Sequence, residues 1–136
     1  MRSAPRHQSP QEDNMSTPAT IPADALVRQG TLPETEDAAI FTGADHGNVP
    51  VSLFLVHSHP GSGPRLHRHP YPEVFVIHAG QARFRLGESE VPAAAGDVVI
   101  APAGVAHSFT ATGQAELRLT AIHTSPEFET EWLEQA

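Results

Sequence analysis

The chain of 136 residues is long enough for one domain but too short for a second hydrophobic core. It has 16 acidic and eight basic residues, a net charge of −8, and all the basic residues are arginine, which argues against a surface that binds nucleic acid or anionic membranes. The absence of lysine excludes Schiff-base catalysis, and the absence of cysteine excludes disulfides, thiolate nucleophiles and cysteine-ligated zinc.

The amino-terminal part of the chain has little to bury. Residues 1–20 are rich in Pro, Ser, Gln and charge and are predicted to be a disordered tail. Met15 also reads as a start site, which leaves open whether residues 1–14 belong to the native protein. Residues 21–37 are predicted to be an irregular arm that lies across the domain or a partner subunit. With no hydrophobic signal core and no long apolar run, we expect a cytoplasmic protein.

From residue 38 to residue 136 we predict a single folded domain. Short apolar runs separated by Gly, Pro, Asn and Asp are typical of an all-β sandwich or barrel. The predicted strands have the sequences AAIFT, VSLFLVH, RLHRH, EVFVIHA, QARFRL, SEVPA, VVIAP, AHSFTA and ELRLTAIHT. Glycines at 80, 96 and 104 stand where strands are expected to reverse with positive φ.

The last twelve residues, SPEFETEWLEQA, are predicted to form a short C-terminal helix. Ser125 suits an N-cap, and Pro126 suits the first helical position. Phe128 and Trp132 are four residues apart and would dock this helix on the barrel.

Four side chains of the metal-binding type are predicted to converge. Alternate residues of a strand project to the same face, so His67 and His69 point together. A Pro-Tyr-Pro turn then leads to Glu73 at the head of the apolar run VFVI, and His107 offers a further imidazole from a second segment. A buried carboxylate without a partner is costly, so we predict one bound divalent metal; the alternative is that these groups bond one another or water.

The same residues resemble the two sequence motifs of the cupin superfamily. The first is Gly, five residues, His-x-His, three residues, Glu, six residues, Gly, and it is matched at Gly61, His67, His69, Glu73 and Gly80. The second is matched at Gly96, Pro102, Gly104 and His107, while Ala111 stands where the family has Asn. The resemblance covers residues 35–124 and implies a double-stranded β-helix, a jelly-roll barrel, with metal ligands at His67, His69, Glu73 and His107.

The resemblance implies a metal-dependent small-molecule protein without naming its substrate. Three neutral imidazoles and one carboxylate leave a divalent cation positive and open to substrate, and Fe, Mn, Ni, Zn and Cu all suit the ligand set. The leading hypothesis is an oxidoreductase, an Fe or Mn dioxygenase acting on a small chelating substrate. The alternatives are an oxygen-independent isomerase, lyase or hydrolase of a carbohydrate-like substrate, and a non-catalytic binding or sensing protein. Candidates for proton transfer are His59, Tyr71 and His123.

The surroundings of the site and the partners complete the prediction. An apolar lining is expected from Phe75, Ile77, Phe84 and Phe109. Exposed β edges and the amino-terminal arm favour a homodimer, and we expect neither nucleic-acid nor membrane partners.

Overall fold

The computed structural model describes residues 25–134. The predicted disordered tail and the first part of the predicted arm lie outside these residues. Residues 25–31 belong to a separate unit with a 3-10 turn at Gln29–Thr31, where the Thr31 N–H and hydroxyl both donate to the Arg28 carbonyl. Residues 32–134 belong to the main unit. Among the described residues, no helix has the length and apolar character needed to cross a membrane.

The main unit consists of two antiparallel five-stranded sheets. The strands are β1 (Ala38–Phe41), β2 (Ser52–Ser58), β3 (His67–Arg68), β4 (Glu73–Ala79), β5 (Gln81–Leu86), β6 (Ser89–Ala94), β7 (Val98–Ala101), β8 (His107–Thr112), β9 (Leu117–His123) and β10 (Glu131–Trp132). Their orders are β1-β2-β9-β4-β7 in the first sheet and β10-β3-β8-β5-β6 in the second. The predicted all-β architecture is confirmed, and a 3-10 turn at Gly43–Asp45 follows β1.

The core lies between the two sheets because the strands alternate inward apolar and outward side chains. On β4 the buried positions are Glu73, Phe75 and Ile77. On β5 they include Phe84, whose ring lies 4.9 Å from that of Phe75. All four residues predicted to line the site are buried, but Phe75 and Phe109 line the cavity beside it, whereas Ile77 and Phe84 belong to the core alone. The apolar core therefore directly adjoins the carboxylate at the head of β4.

The prediction of a C-terminal helix is wrong, because residues 125–134 contain no helix and include the short strand β10. Strand β10 pairs antiparallel with β3, and the Leu133 N–H donates to the Leu66 carbonyl at 3.0 Å. The Phe128 ring stacks on Phe54 with 4.8 Å between centroids. A helix would satisfy its own backbone and leave the edge of β3 unpaired, whereas an extended chain supplies the missing partners.

The glycines at 80, 96 and 104 have φ values of 83°, 96° and 78°, as predicted for reversing strands. Gly80 is also tightly packed, since an added Cβ would lie 2.5 Å from the Glu116 carbonyl oxygen. Only glycine fits both this backbone conformation and this approach. Gly80 thus allows β5 to begin directly after β4.

Candidate metal centre

The four predicted ligand side chains lie together between the sheets. His67 on β3 and His107 on β8 are direct cross-strand partners in the second sheet. Glu73 begins β4 in the first sheet, and His69 directly follows β3. Each residue offers one ligand atom, these atoms all lie within 4.8 Å of one another, and all four residues are buried.

Each of the three histidines in this cluster is oriented by a backbone carbonyl that contacts its Nδ1 atom. The distances are 2.6 Å from His67 to Arg65, 2.8 Å from His69 to Glu129 and 3.0 Å from His107 to Val105. A ring that donates its Nδ1–H to a carbonyl keeps a lone pair on Nε2. The backbone therefore sets the tautomer in which a histidine binds a metal through Nε2.

The Glu73 carboxylate faces the Nε2 atoms of these rings. Its Oε1 atom lies 3.0 Å from Nε2 of His69 and 3.0 Å from Nε2 of His107. The His69 Nε2 atom is buried and has no hydrogen-bond partner. Lone pairs that face a carboxylate oxygen repel it unless a proton or a cation lies between them. The donor set therefore fits a divalent cation held by three imidazoles and one carboxylate oxygen.

The ionisation of the cluster also suits a cation. Burial favours the neutral acid of Glu73, but contacts with His107, His123 and His69 outweigh it and hold the pKa well below its ordinary value. Burial lowers the pKa of His67 to about 4. For His107, burial acts in the same direction, but hydrogen bonds to Glu73 and to the Val105 carbonyl raise the pKa. Near neutral pH, Glu73 is thus anionic and His67 neutral, as metal ligands must be, whereas a cation would have to displace a proton from His107.

Two of the three candidates for proton transfer lie beside the cluster. The Nε2 atom of His123 is 3.0 Å from Glu73 Oε2, and its Nδ1 atom is 2.7 Å from the Tyr71 hydroxyl. That hydroxyl also accepts a 3.4 Å hydrogen bond from the Glu129 N–H. Burial raises the pKa of Tyr71 to about 12, so the phenol keeps its proton. His59 is exposed beyond the end of β2 and lies outside the cluster.

The sequence indicates that His123 points into the barrel, but it gives no indication of the role of Glu129. His123 has the same parity on β9 as Leu117, Leu119 and Ala121, which are all buried, so the alternation points it inward. Glu129 contributes only its peptide N–H and carbonyl. Every residue other than proline offers those two groups, so the residue type gives no indication of this role.

A cavity of about 100 Å³ adjoins the cluster. Its lining consists of Phe54, Val56, Pro64, His67, His69, Glu73, Phe75, Phe109, Ala121, His123, Thr130 and Trp132. A second cavity of about 280 Å³ lies next to it, and the two share five apolar lining residues: Phe54, Val56, Pro64, Phe109 and Trp132. The Trp132 ring lies 4.9 Å from that of His67. The C-terminal strand thus forms part of the cavity wall.

Comparison with known proteins shows sequence similarity to a plant protein. The chain is 29% identical over 115 residues to Auxin-binding protein 1 of Arabidopsis thaliana, an alignment that covers 78% of this chain and 56% of that protein. The chain therefore spans little more than half the length of the relative that it matches.

Solved structures share the fold. A Klebsiella pneumoniae protein with a double-stranded β-helix domain superposes with a TM-score of 0.64 at 18% identity, covering 82% of this chain and 98% of that one. An oxalate decarboxylase from Bacillus subtilis gives 0.66 at 24% identity over 74% of this chain and 28% of that one. One from Lactobacillus farciminis gives 0.65 at 22% identity, over 74% and 32% respectively.

The fold and the buried cluster agree with the family comparison. The two-sheet architecture is that of the double-stranded β-helix, as the motifs implied. The cluster of three histidines and one glutamate supports a metal-binding protein of this fold. The Cupin domain family matches residues 54–123, more than half of the chain, and the chain belongs to this family.

Proposed function

We propose that this protein is a metal-dependent dioxygenase, with Fe or Mn, that acts on a small, largely apolar chelating substrate. The observation that carries the proposal is the buried cluster of three histidines and one glutamate beside an apolar cavity, whose wall includes His67, His69 and Glu73. The bound cation would act as a Lewis acid for the substrate and bring dioxygen beside it. The substrate would supply the electrons, and both atoms of O₂ would enter the product.

The residues of the chain have separate tasks in this proposal. His67, His69 and His107 would hold the cation, each oriented by its carbonyl partner. Glu73 would supply one negative charge, so the site stays net positive and attracts an anionic chelating group. The apolar walls around Phe75 and Phe109 would exclude water and align a flat substrate body.

The lining of the cavity disfavours the carbohydrate hypothesis. A sugar needs several hydrogen-bonding groups to replace its hydration. Apart from the cluster residues and His123, the side chains with a polar group in the lining of the 100 Å³ cavity are Thr130 and Trp132, which has a single indole N–H. An enediol, a β-diketone or a catechol instead places its two oxygens on the cation and its carbon skeleton against apolar side chains.

Oxygen consumption tests the proposal directly. The protein would be stripped of metal, reconstituted anaerobically with Fe(II) or Mn(II), and mixed with a panel of catechols, β-diketones and flavonols. We expect oxygen uptake with at least one pair of metal and substrate, with ¹⁸O₂ label in the product. His107→Ala should abolish uptake, whereas His59→Ala, which lies outside the cluster, should retain it. A complete lack of uptake across metals and substrates would contradict the proposal.

A second candidate function is the capture of a small aromatic carboxylate without turnover. It is favoured by the similarity to Auxin-binding protein 1, a protein named for a ligand that it binds. The carboxylate would bind the cation, and the ring would occupy the adjoining 280 Å³ cavity. Calorimetry with metal-loaded protein and a series of aromatic acids would show metal-dependent binding, and an unchanged ligand after incubation in air would separate this function from the first.

A further inference from the structure

The two oxygens of Glu73 have different surroundings. Oε1 faces Nε2 of His69 and His107, two of the predicted ligands, at 3.0 Å each. Oε2 instead faces Nε2 of His123, also at 3.0 Å. Glu73 and His123 are both buried, with exposed fractions of 3% and 1%. One oxygen is thus turned toward the metal cluster and the other toward a fourth histidine.

His123 differs from the three histidines of the cluster in the partner of its Nδ1 atom. That partner is the Tyr71 hydroxyl at 2.7 Å, rather than a carbonyl. The Tyr71 oxygen accepts the Glu129 N–H, and the acceptor within reach of its own proton is Nδ1 of His123. The ring proton of His123 then resides on Nε2, which is the reverse of the tautomer in the cluster. His123 therefore presents an N–H, and not a lone pair, to Glu73.

We propose that Tyr71 and His123 form a positioning pair. The pair holds Oε2 of Glu73 toward the His123 ring and leaves Oε1 as the single metal-binding atom of this carboxylate. This inference rests on the proposed metal binding. Oε2 lies 3.0 Å from His123 Nε2 outside hydrogen-bond geometry, and this buried nitrogen has no hydrogen-bond partner among the described residues, so Oε2 is the polar atom that it faces. A carboxylate that binds through one oxygen leaves a coordination position open for substrate, whereas a bidentate carboxylate would occupy it.

Loss of the Tyr71 hydroxyl would remove the donor that determines this tautomer. His123 could then carry its lone pair on Nε2 and compete with Glu73 for the cation. Loss of the His123 ring would free Oε2 to join Oε1 at the metal. Both changes act through Glu73, so they alter the coordination of the metal before any substrate is present.

Zinc-loaded protein allows the tautomers to be observed without turnover. Long-range ¹H–¹⁵N correlation spectra should show His67, His69 and His107 with a protonated Nδ1, and His123 with a protonated Nε2. In Tyr71→Phe the His123 signals should lose this preference. In infrared spectra of His123→Leu, the separation between the antisymmetric and symmetric carboxylate stretching bands should change from the value of a monodentate carboxylate to that of a bidentate one.

Zinc affinity, measured by competition with a chelator, gives the second readout. We expect His123→Leu to lose about 10-fold in affinity, the lower range for a residue that supports a metal ligand. His123→Gln should recover most of this loss, because its amide N–H can donate to Oε2. Two results would overturn this inference and leave the proposed function standing. One is a His123 ring protonated on Nδ1. The other is wild-type zinc affinity together with an unchanged infrared spectrum in both Tyr71→Phe and His123→Leu. Failure of the wild-type protein to bind zinc or any other divalent metal would overturn the proposed function as well.

Discussion

Glu73 and His123 are cross-strand partners on β4 and β9, and their Oε2 and Nε2 atoms lie 3.0 Å apart. His67 and His107 have the same relationship in the opposite sheet. Two cross-strand pairs, one from each sheet, thus face one another at the site, and His69 joins them from the chain after β3. A register shift of one residue would turn one side chain of a pair to the outer face of its sheet. The site therefore forms only when both strand pairs have the correct register.

Metal removal should destabilise the protein. A ligand that binds only the folded state stabilises it by about 2.7 kcal/mol at 100 times its dissociation constant. A chelator should therefore lower the melting temperature in differential scanning fluorimetry, and added divalent metal should restore it. His107→Ala should abolish this metal-dependent shift, whereas His59→Ala should preserve it. Identical melting curves with and without chelator would contradict the prediction.

Metal affinity should increase with pH. In the metal-free protein the pKa of His107 is raised, so this ring keeps its proton to a higher pH than an ordinary histidine. A cation must displace that proton, and binding weakens as the pH falls below that pKa. His67, with a pKa of about 4, is already neutral near pH 7 and releases none. Calorimetry in two buffers of different ionisation enthalpy would count the released protons; equal dissociation constants at pH 6 and pH 8 would refute the prediction.

Removal of the C-terminal strand should weaken metal binding. Chain termination after Phe128 deletes the Glu129 carbonyl that orients His69, together with β10 at the edge of β3. We expect a loss of about 10- to 100-fold in metal affinity, the range found for groups that support a metal ligand. The matched control ends at residue 134 and keeps both features. Full affinity in the shorter protein would show that Glu129 does not position His69.

Gly80→Ala should destabilise the fold more than Gly96→Ala. Both residues have positive φ, which costs a residue with a Cβ about 1–2 kcal/mol. At Gly80 the new Cβ would also lie 2.5 Å from the Glu116 carbonyl oxygen, whereas nothing lies within 4 Å at Gly96. Urea unfolding should therefore show a larger loss of unfolding free energy for Gly80→Ala. Equal losses would argue against the close approach.

The homodimer stays a prediction, and the outer face of the first sheet is the surface on which we expect it. Two rows of cross-strand neighbours lie on this face. One row is Leu53, Ile122, Val74 and Ile100, and the other is Leu55, Thr120, Val76 and Val98. Neither row contains a charged side chain, and Val98 and Ile100 are 58% and 57% exposed. Each copy has a net charge of −8, and pairing through an uncharged face brings no like charges into close contact, so a second copy is the occupant that we predict.

Light scattering coupled to size exclusion would test this surface. The wild-type protein should have the mass of a dimer at micromolar concentration, and Val98→Glu with Ile100→Glu should convert it to a monomer. Thr110→Glu, an exposed outward position on β8, is the matched control and should remain dimeric. A wild-type monomer would contradict the prediction outright.

The sequence by itself determined the all-β fold and the turn glycines, and strand alternation with short spacings pointed His67, His69 and Glu73 to one place. The resemblance to the cupin motifs added His107 from the distant β8. Alternation also points His123 inward, but its contact with Glu73 depends on the pairing of β4 with β9, some 50 residues apart in the chain. Only the tertiary structure decided that residues 125–134 form no helix and that residues 129–133 run along β3. Local propensity favoured the helix, but the unpaired edge of β3 and the Phe54 ring stabilise the extended chain, and a local sequence pattern contains neither.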